Sequence, residues 1–121
     1  MQSSVLKLRI AALTGFLGVA LGAFGAHALN AHLEAGGYME TWRTAVHYHL
    51  IHVVVMLSVG LFGSPRLWLS YWFMFAGIVI FCGSLYLLAV TRLTWLGAIT
   101  PIGGIAFMLG WGMIFIKSRD E

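Results

Sequence analysis

This sequence is poor in charge. Only 9% of its 121 residues are Asp, Glu, Lys or Arg, against about 25% in an ordinary soluble domain. That shortage excludes a conventional soluble fold, and a hydrophobic content of 60% excludes disorder. The seven basic residues, set against four acidic ones, form no stripe or patch of the kind that binds nucleic acid. Cys82 is the single cysteine, so the chain has no internal disulfide. In mid-span it reads as a small core hydrophobe and gives no clue to redox compartment. No Gly-x-Ser-x-Gly elbow, phosphate-binding loop or carboxylate pair is present. An enzyme would have to work with histidine, tyrosine and serine alone, so no catalytic residue is assigned and no cofactor is required.

What is present lies between the few charges. Residues 10–33, 44–65, 67–91 and 93–116 carry no charged side chain, and each run exceeds the roughly 20 apolar residues that cross a bilayer. Only helices or closed barrels span lipid, and continuous apolar runs without period-two alternation select helices. The sequence therefore predicts an all-α membrane protein, four transmembrane helices in a compact bundle, with spans at about residues 8–29, 42–62, 67–91 and 95–116. One transmembrane domain then covers residues 1–121. Breakers fall between the spans: Gly36-Gly37 in a long loop from Asn30 to Arg43, then Gly63-Ser64-Pro65, then Thr91-Arg92. Lys7 and Arg9 before an apolar stretch, with Ala26-His27-Ala28 after it, imitate a signal peptide. The stretch is longer than a usual signal core and reads as a retained helix.

Four spans put both termini on one side, together with Lys7, Arg9, Arg66, Lys117 and Arg119, opposite Arg43 and Arg92. The positive-inside rule then makes both termini cytoplasmic and turns Glu34 and Glu40 toward the periplasm or its equivalent. Trp42, Trp68, Tyr71, Trp72 and Trp95 fall near span ends, where amphipathic rings favour the headgroup layer. In the first span Gly15, Gly18, Gly22 and Gly25 recur on one stripe, which allows close helix packing. Gly97, Gly103, Gly104 and Gly110 form a similar set in the fourth, and Pro101 there predicts a bend by freeing the carbonyl of Gly97. No internal repeat supports transporter-like inverted symmetry.

With no Asp, Glu, Lys or Arg inside a span, proton relays, voltage sensing and ion-coupled transport lose their usual groups. Five histidines remain: His27, His32, His47, His49 and His52. His49 and His52, three apart, share a helix face that Ala45, Met56 and Val59 continue, whereas His47 points elsewhere. With a helix start near Thr41, His52 lies about 16 Å along the span. Ser84, Tyr86 and Thr100 fall in the same half of the bundle, so His27, His49, His52, Ser84, Tyr86 and Thr100 are the candidate polar cluster. The cluster reads either as a hydrogen-bond network that fixes packing or as a pocket for a ligand, metal or haem, with His49 and His52 as candidate ligands. His-x-His-x-x-His is no established metalloenzyme spacing. His32 and His47 are expected at the wet interface without a specific task.

Two stretches go beyond composition. One is Gly22-Ala23-Phe24-Gly25-Ala26-His27-Ala28-Leu29 followed by Trp42-Arg43-Thr44-Ala45-Val46-His47-Tyr48-His49-Leu50-Ile51-His52. The other is Phe81-Cys82-Gly83-Ser84-Leu85-Tyr86-Leu87-Leu88-Ala89 followed by Leu96-Gly97-Ala98-Ile99-Thr100-Pro101-Ile102-Gly103-Gly104. Together they resemble the small bacterial membrane family labelled domain of unknown function 423, whose eukaryotic relatives are called transmembrane protein 256-like. The resemblance implies a four-helix protein of the bacterial inner membrane and brings no activity with it. It also implies that glutamine often stands at the position of His47, which favours His49 and His52 as the positions of interest.

Three functional readings follow. The first is a structural, accessory or interaction module that self-associates or joins a larger membrane complex through its glycine-rich faces. The second is a binding protein for a haem, quinone, metal or lipid in the histidine-containing pocket. The third is a small-solute channel or transporter, which the missing intramembrane charge and repeats disfavour.

Overall fold

The computed structural model describes residues 2–118, and every regular element among them is helical. Arg119, one of the five basic residues assigned to the terminal side, lies outside the described residues. The elements are α1 (Gln2–Ala26), α2 (Asn30–Gly36), α3 (Met39–Phe62), α4 (Trp68–Gly77), α5 (Gly83–Thr91) and α6 (Thr100–Lys117). Four apolar stretches are long enough to cross a membrane: Ser4–Ala26, Met39–Phe62, Pro65–Thr91 and Thr94–Lys117.

The first span stops at Ala26, three residues short of its expected end, and the connection expected as loop contains α2. Gly37 explains how so short a piece is bounded. It holds φ +78°, the left-handed conformation that ends a helix at no side-chain cost, and α3 restarts at Met39. Leu33 of α2 is fully buried with Met39, Trp42 and Ala89 in a small satellite core.

The third span is continuous but not uniform. A 3₁₀ turn at Pro65–Leu67 leads into α4, and a π-helical turn at Ile78–Cys82 separates α4 from α5. The fourth begins as a 3₁₀ turn, Thr94–Ala98, before α6. Pro101, from which a bend is expected, sits in the first turn of α6, where its missing N–H costs nothing.

Apolar burial drives no helix association inside lipid, so close packing must hold the spans together. Along α1 the glycine stripe faces α3. A Cβ at Gly18 would lie 2.7 Å from Leu50 Cδ2, and at Gly15 and Gly22 it would crowd Val53 and Val46. Gly25 makes room for the indole of Trp42, which donates to the carbonyl of Leu21 at 2.9 Å. The fourth span fits the third in the same way. A Cβ at Gly103 would strike the backbone of Phe81 inside the π-turn, with Phe81 Cα 2.7 Å away. Gly77 receives the ring of Phe107, and Gly110 receives Met74. The main core joins Ala45, Val53 and Met56 of α3 to Tyr71, Met74, Ile78 and Cys82 of the third span.

The two ends of the bundle differ in charge. Lys7, 5% exposed, sits at one end with its ammonium 3.8 Å above the ring of Trp68, and its carbonyl accepts a 2.5 Å bond from Tyr71. Arg66 and Lys117 line one cavity at that same end. At the opposite end Arg43 pairs with Glu40 at 2.7 Å. Of the aromatics expected in the headgroup layer, Trp95 and Trp72 are exposed, whereas Trp42 and Tyr71 turn inward to bond backbone carbonyls of α1.

Candidate functional site

The buried face of α3 carries Ala45, His49, His52, Met56 and Val59 in sequence, all less than a tenth exposed. His49 faces α1 and α5. Its Nε2 lies 2.8 Å from the carbonyl oxygen of Thr14, and its Nδ1 lies 2.8 Å from the hydroxyl of Tyr86. A carbonyl oxygen only accepts, so Nε2 carries the proton and Nδ1 accepts from the Tyr86 O–H. The ring reaches α1 because Gly18 has no side chain; a Cβ there would stand 3.0 Å from His49 Cδ2. Tyr86 is held in turn by Trp42, with ring centroids 4.8 Å apart.

His52 faces the fourth span. Its Nδ1 lies 2.8 Å from the carbonyl oxygen of Tyr48, one turn back in α3, and Trp111 Nε1–H donates to its Nε2 at 3.1 Å. Here the proton is on Nδ1, the opposite tautomer to His49. The imidazole stacks on Phe107 at a centroid distance of 3.9 Å. Neither histidine keeps a free lone pair. Each is neutral, doubly bonded and tied to another span.

Ser84 and Thr100 form a third, separate pair. Their hydroxyls are 2.6 Å apart and share one hydrogen bond; Ser84 also reaches the carbonyl of Phe81 at 2.9 Å, and Thr100 that of Leu96 at 3.4 Å. His27 joins none of these sets; it is exposed in the turn just after α1, beside a shallow apolar concavity lined by Ala20, Ala23 and Phe24. The six candidates thus form two histidine links, one hydroxyl pair and one outlier rather than a single pocket. Among the described residues, no group of three His, Cys, Asp or Glu side chains is placed to hold a metal.

The remaining histidines differ from each other. His47 is exposed. His32, expected idle at the interface, is instead a clasp between α2 and the end of α5. Its Nε2 donates to the carbonyl of Val90 at 2.8 Å, and Arg92 donates to its carbonyl at 2.8 Å. Arg92 itself holds φ +63°, a left-handed position rare for a side chain of this size. It caps α5 through an N–H bond to Leu88.

Sequence reasoning missed Trp111 and Phe107, the partners of His52, and the Thr14 carbonyl that receives His49. Trp111 was detectable in principle: an indole N–H placed mid-span needs an acceptor in hydrocarbon. A backbone carbonyl leaves no such trace in the residue pattern.

A groove of about 560 Å³ between α1 and the third span, walled by Leu17, Phe75 and Val79, touches His49 and Tyr86. Its polar edge is the pair that already bonds to itself.

Comparisons with known proteins agree over nearly the whole length. Residues 21–104 match the family model described as Protein of unknown function (DUF423). The chain is 46% identical over 114 residues to the UPF0382 membrane protein YwdK of Bacillus subtilis, covering 90% of this chain and 92% of that one. It is 43% identical over 112 residues to the UPF0382 membrane protein SERP0230 of Staphylococcus epidermidis, covering 90% and 91%. To the UPF0382 inner membrane protein YgdD of Escherichia coli K12 it is 37% identical over 121 residues, covering 95% and 90%. No solved structure matches it.

Proposed function

The chain belongs to the DUF423 family of membrane proteins, and from that premise we propose that it is a structural or accessory module of the bacterial inner membrane. In this reading the core histidines hold helices together and bind neither metal nor haem. One observation carries it: all four ring nitrogens of His49 and His52 have partners from the chain itself. A metal or haem iron needs an imidazole lone pair, and both lone pairs accept hydrogen bonds from Tyr86 and Trp111. Optical spectra and elemental analysis of protein purified in lipid test this, with His52→Leu beside wild type. The expected result is no haem band, no stoichiometric metal, and a modest loss of stability in the variant. Bound metal or haem that His52→Leu releases would overturn it.

The basic end, with Lys7, Arg9, Arg66 and Lys117, supports cytoplasmic termini. Carboxy-terminal reporter fusions that are active only in one compartment test that orientation. Self-association loses most of the support that the glycine stripes lent it, since Gly15, Gly18, Gly22, Gly103 and Gly110 have neighbours from within the chain. What supports it still is the open space at Gly97 and Gly112. Native mass spectrometry from bilayer discs, showing monomer alone, would remove it.

A second reading is favoured by the groove beside His49 and Tyr86: the tail of a quinone or other lipid lies there. Organic extraction of the purified protein tests it.

A further inference from the structure

At the end of the bundle away from the termini, α1 and α3 border a groove of about 640 Å³. Its α1 wall is low, because Gly22 and Ala26 supply little or no side chain there. Val46, Leu50 and Ile51 of α3 make the facing wall apolar, and Asn30, Arg43 and His47 stand at the mouth. Arg43 gives Nη1 to Glu40 at 2.7 Å and keeps Nε and Nη2 without a partner among the described residues. The side chains of that ion pair are 65% and 83% exposed. Water screens such a pair, so a ligand can join it at little cost.

We infer that this groove binds one phospholipid whose headgroup carries both a phosphate and a primary ammonium, as phosphatidylethanolamine does. Three features specify that occupant. The first is order along α3: an apolar wall from Ile51 to Val46, then Arg43, then Glu40 almost one turn further out. A phospholipid lying along the helix meets these with its acyl chain, its phosphate and its ammonium in turn. From Arg43 to Ile51 the groove runs about 12 Å at 1.5 Å per residue, close to the depth of one leaflet, about 15 Å. The second is the donor set. Nε and Nη2 of Arg43 form a fork suited to phosphate oxygens, and the Asn30 amide adds a neutral donor beside it. The third is the sign at the rim. Glu40 attracts a headgroup cation, accepts hydrogen bonds that only a primary ammonium can donate, and opposes a headgroup of net negative charge. Free phosphoethanolamine would use the mouth alone; only the lipid fills the apolar part as well.

Native mass spectrometry of the full chain, released from bilayer discs holding equal phosphatidylethanolamine, phosphatidylcholine and phosphatidylglycerol, tests the proposal. The expected result is one retained phosphatidylethanolamine per chain. Arg43→Gln should weaken its retention about fivefold, which corresponds to roughly 1 kcal/mol per basic residue near the headgroups. Glu40→Gln should keep lipid bound but lose the preference for phosphatidylethanolamine over phosphatidylglycerol. Glu34→Gln removes the same charge from an exposed position outside the groove walls, and should leave the preference unchanged. Ala26→Phe fills the groove from its exposed α1 edge, and should abolish retention with Arg43 and Glu40 intact. Free phosphoethanolamine added to phosphatidylcholine discs should not bind measurably. Equal retention of the three lipids, a preference for phosphatidylglycerol, a Glu34→Gln effect as large as that of Glu40→Gln, insensitivity to Ala26→Phe, or a second protein copy in place of lipid would each overturn it.

Discussion

Replacing Gly103 by alanine perturbs the tightest contact between the third and fourth spans. The added Cβ would sit 2.7 Å from Phe81 Cα and nearer still to Phe81 N, where ordinary contact begins at 3.4 Å. No rotamer change relieves this, because the obstacle is backbone held in the Ile78–Cys82 π-turn. The helices must therefore separate by roughly 0.7 Å or more. A gap of that size forfeits about a quarter to a half of each dispersion contact across the interface. Phe107 in the notch of Gly77 and Met74 against Gly110 would loosen together. Overpacking of this kind costs about 1–3 kcal/mol, and the rigid obstacle places Gly103→Ala at the upper end. Gly112→Ala on the same helix is the comparison, since nothing lies within 4 Å of its added methyl. There the helix gains about 0.4–1 kcal/mol from the less flexible unfolded chain. Reversible unfolding in mixed micelles measures both. Equal stability of the two variants would contradict a rigid backbone obstacle at Gly103.

Trp111→Phe keeps the ring but removes the donor to His52 Nε2; a loss of about 0.6 kcal/mol is expected in the same unfolding assay. Arg92→Ala releases the clasp on α2 through the His32 carbonyl, so amide exchange across residues 30–36 should accelerate while α3 is unaffected. His47→Gln changes an exposed side chain, and its unfolding midpoint should match wild type, within the about 0.5 kcal/mol typical of surface substitutions.

The four spans were legible because lipid leaves so few choices: long charge-free runs without period-two alternation select helices over barrel strands. His49 and His52 were legible as an inward pair from their spacing, and Tyr86 as a partner from its depth. Their other partners were not. Which carbonyl accepts from His49 depends on how closely α1 approaches, and that distance is set jointly by Gly18 and Leu50. The sequence pattern could place Ser84, Thr100 and His27 at one level, but level is not azimuth; Ser84 and Thr100 meet each other, and His27 is exposed in the turn after α1. The π-turn was hidden for a similar reason. It arises where the third span meets the bare backbone of Gly103, a contact between residues 22 apart (Phe81 and Gly103) that no local periodicity encodes. Helix α2 was hidden too, because seven residues carry too little periodicity to be distinguished from loop.

Both core histidines are neutral and closed into hydrogen bonds of opposite sense. Nitrogen-15 NMR of histidine-labelled protein in bilayers reads this directly, with His49→Leu and His52→Leu supplying the assignments. The expected spectrum has His49 protonated on Nε2 with an accepting Nδ1, and His52 protonated on Nδ1 with an accepting Nε2. The same tautomer at both positions, an imidazolium signal from either, or a metal-shifted nitrogen would contradict it.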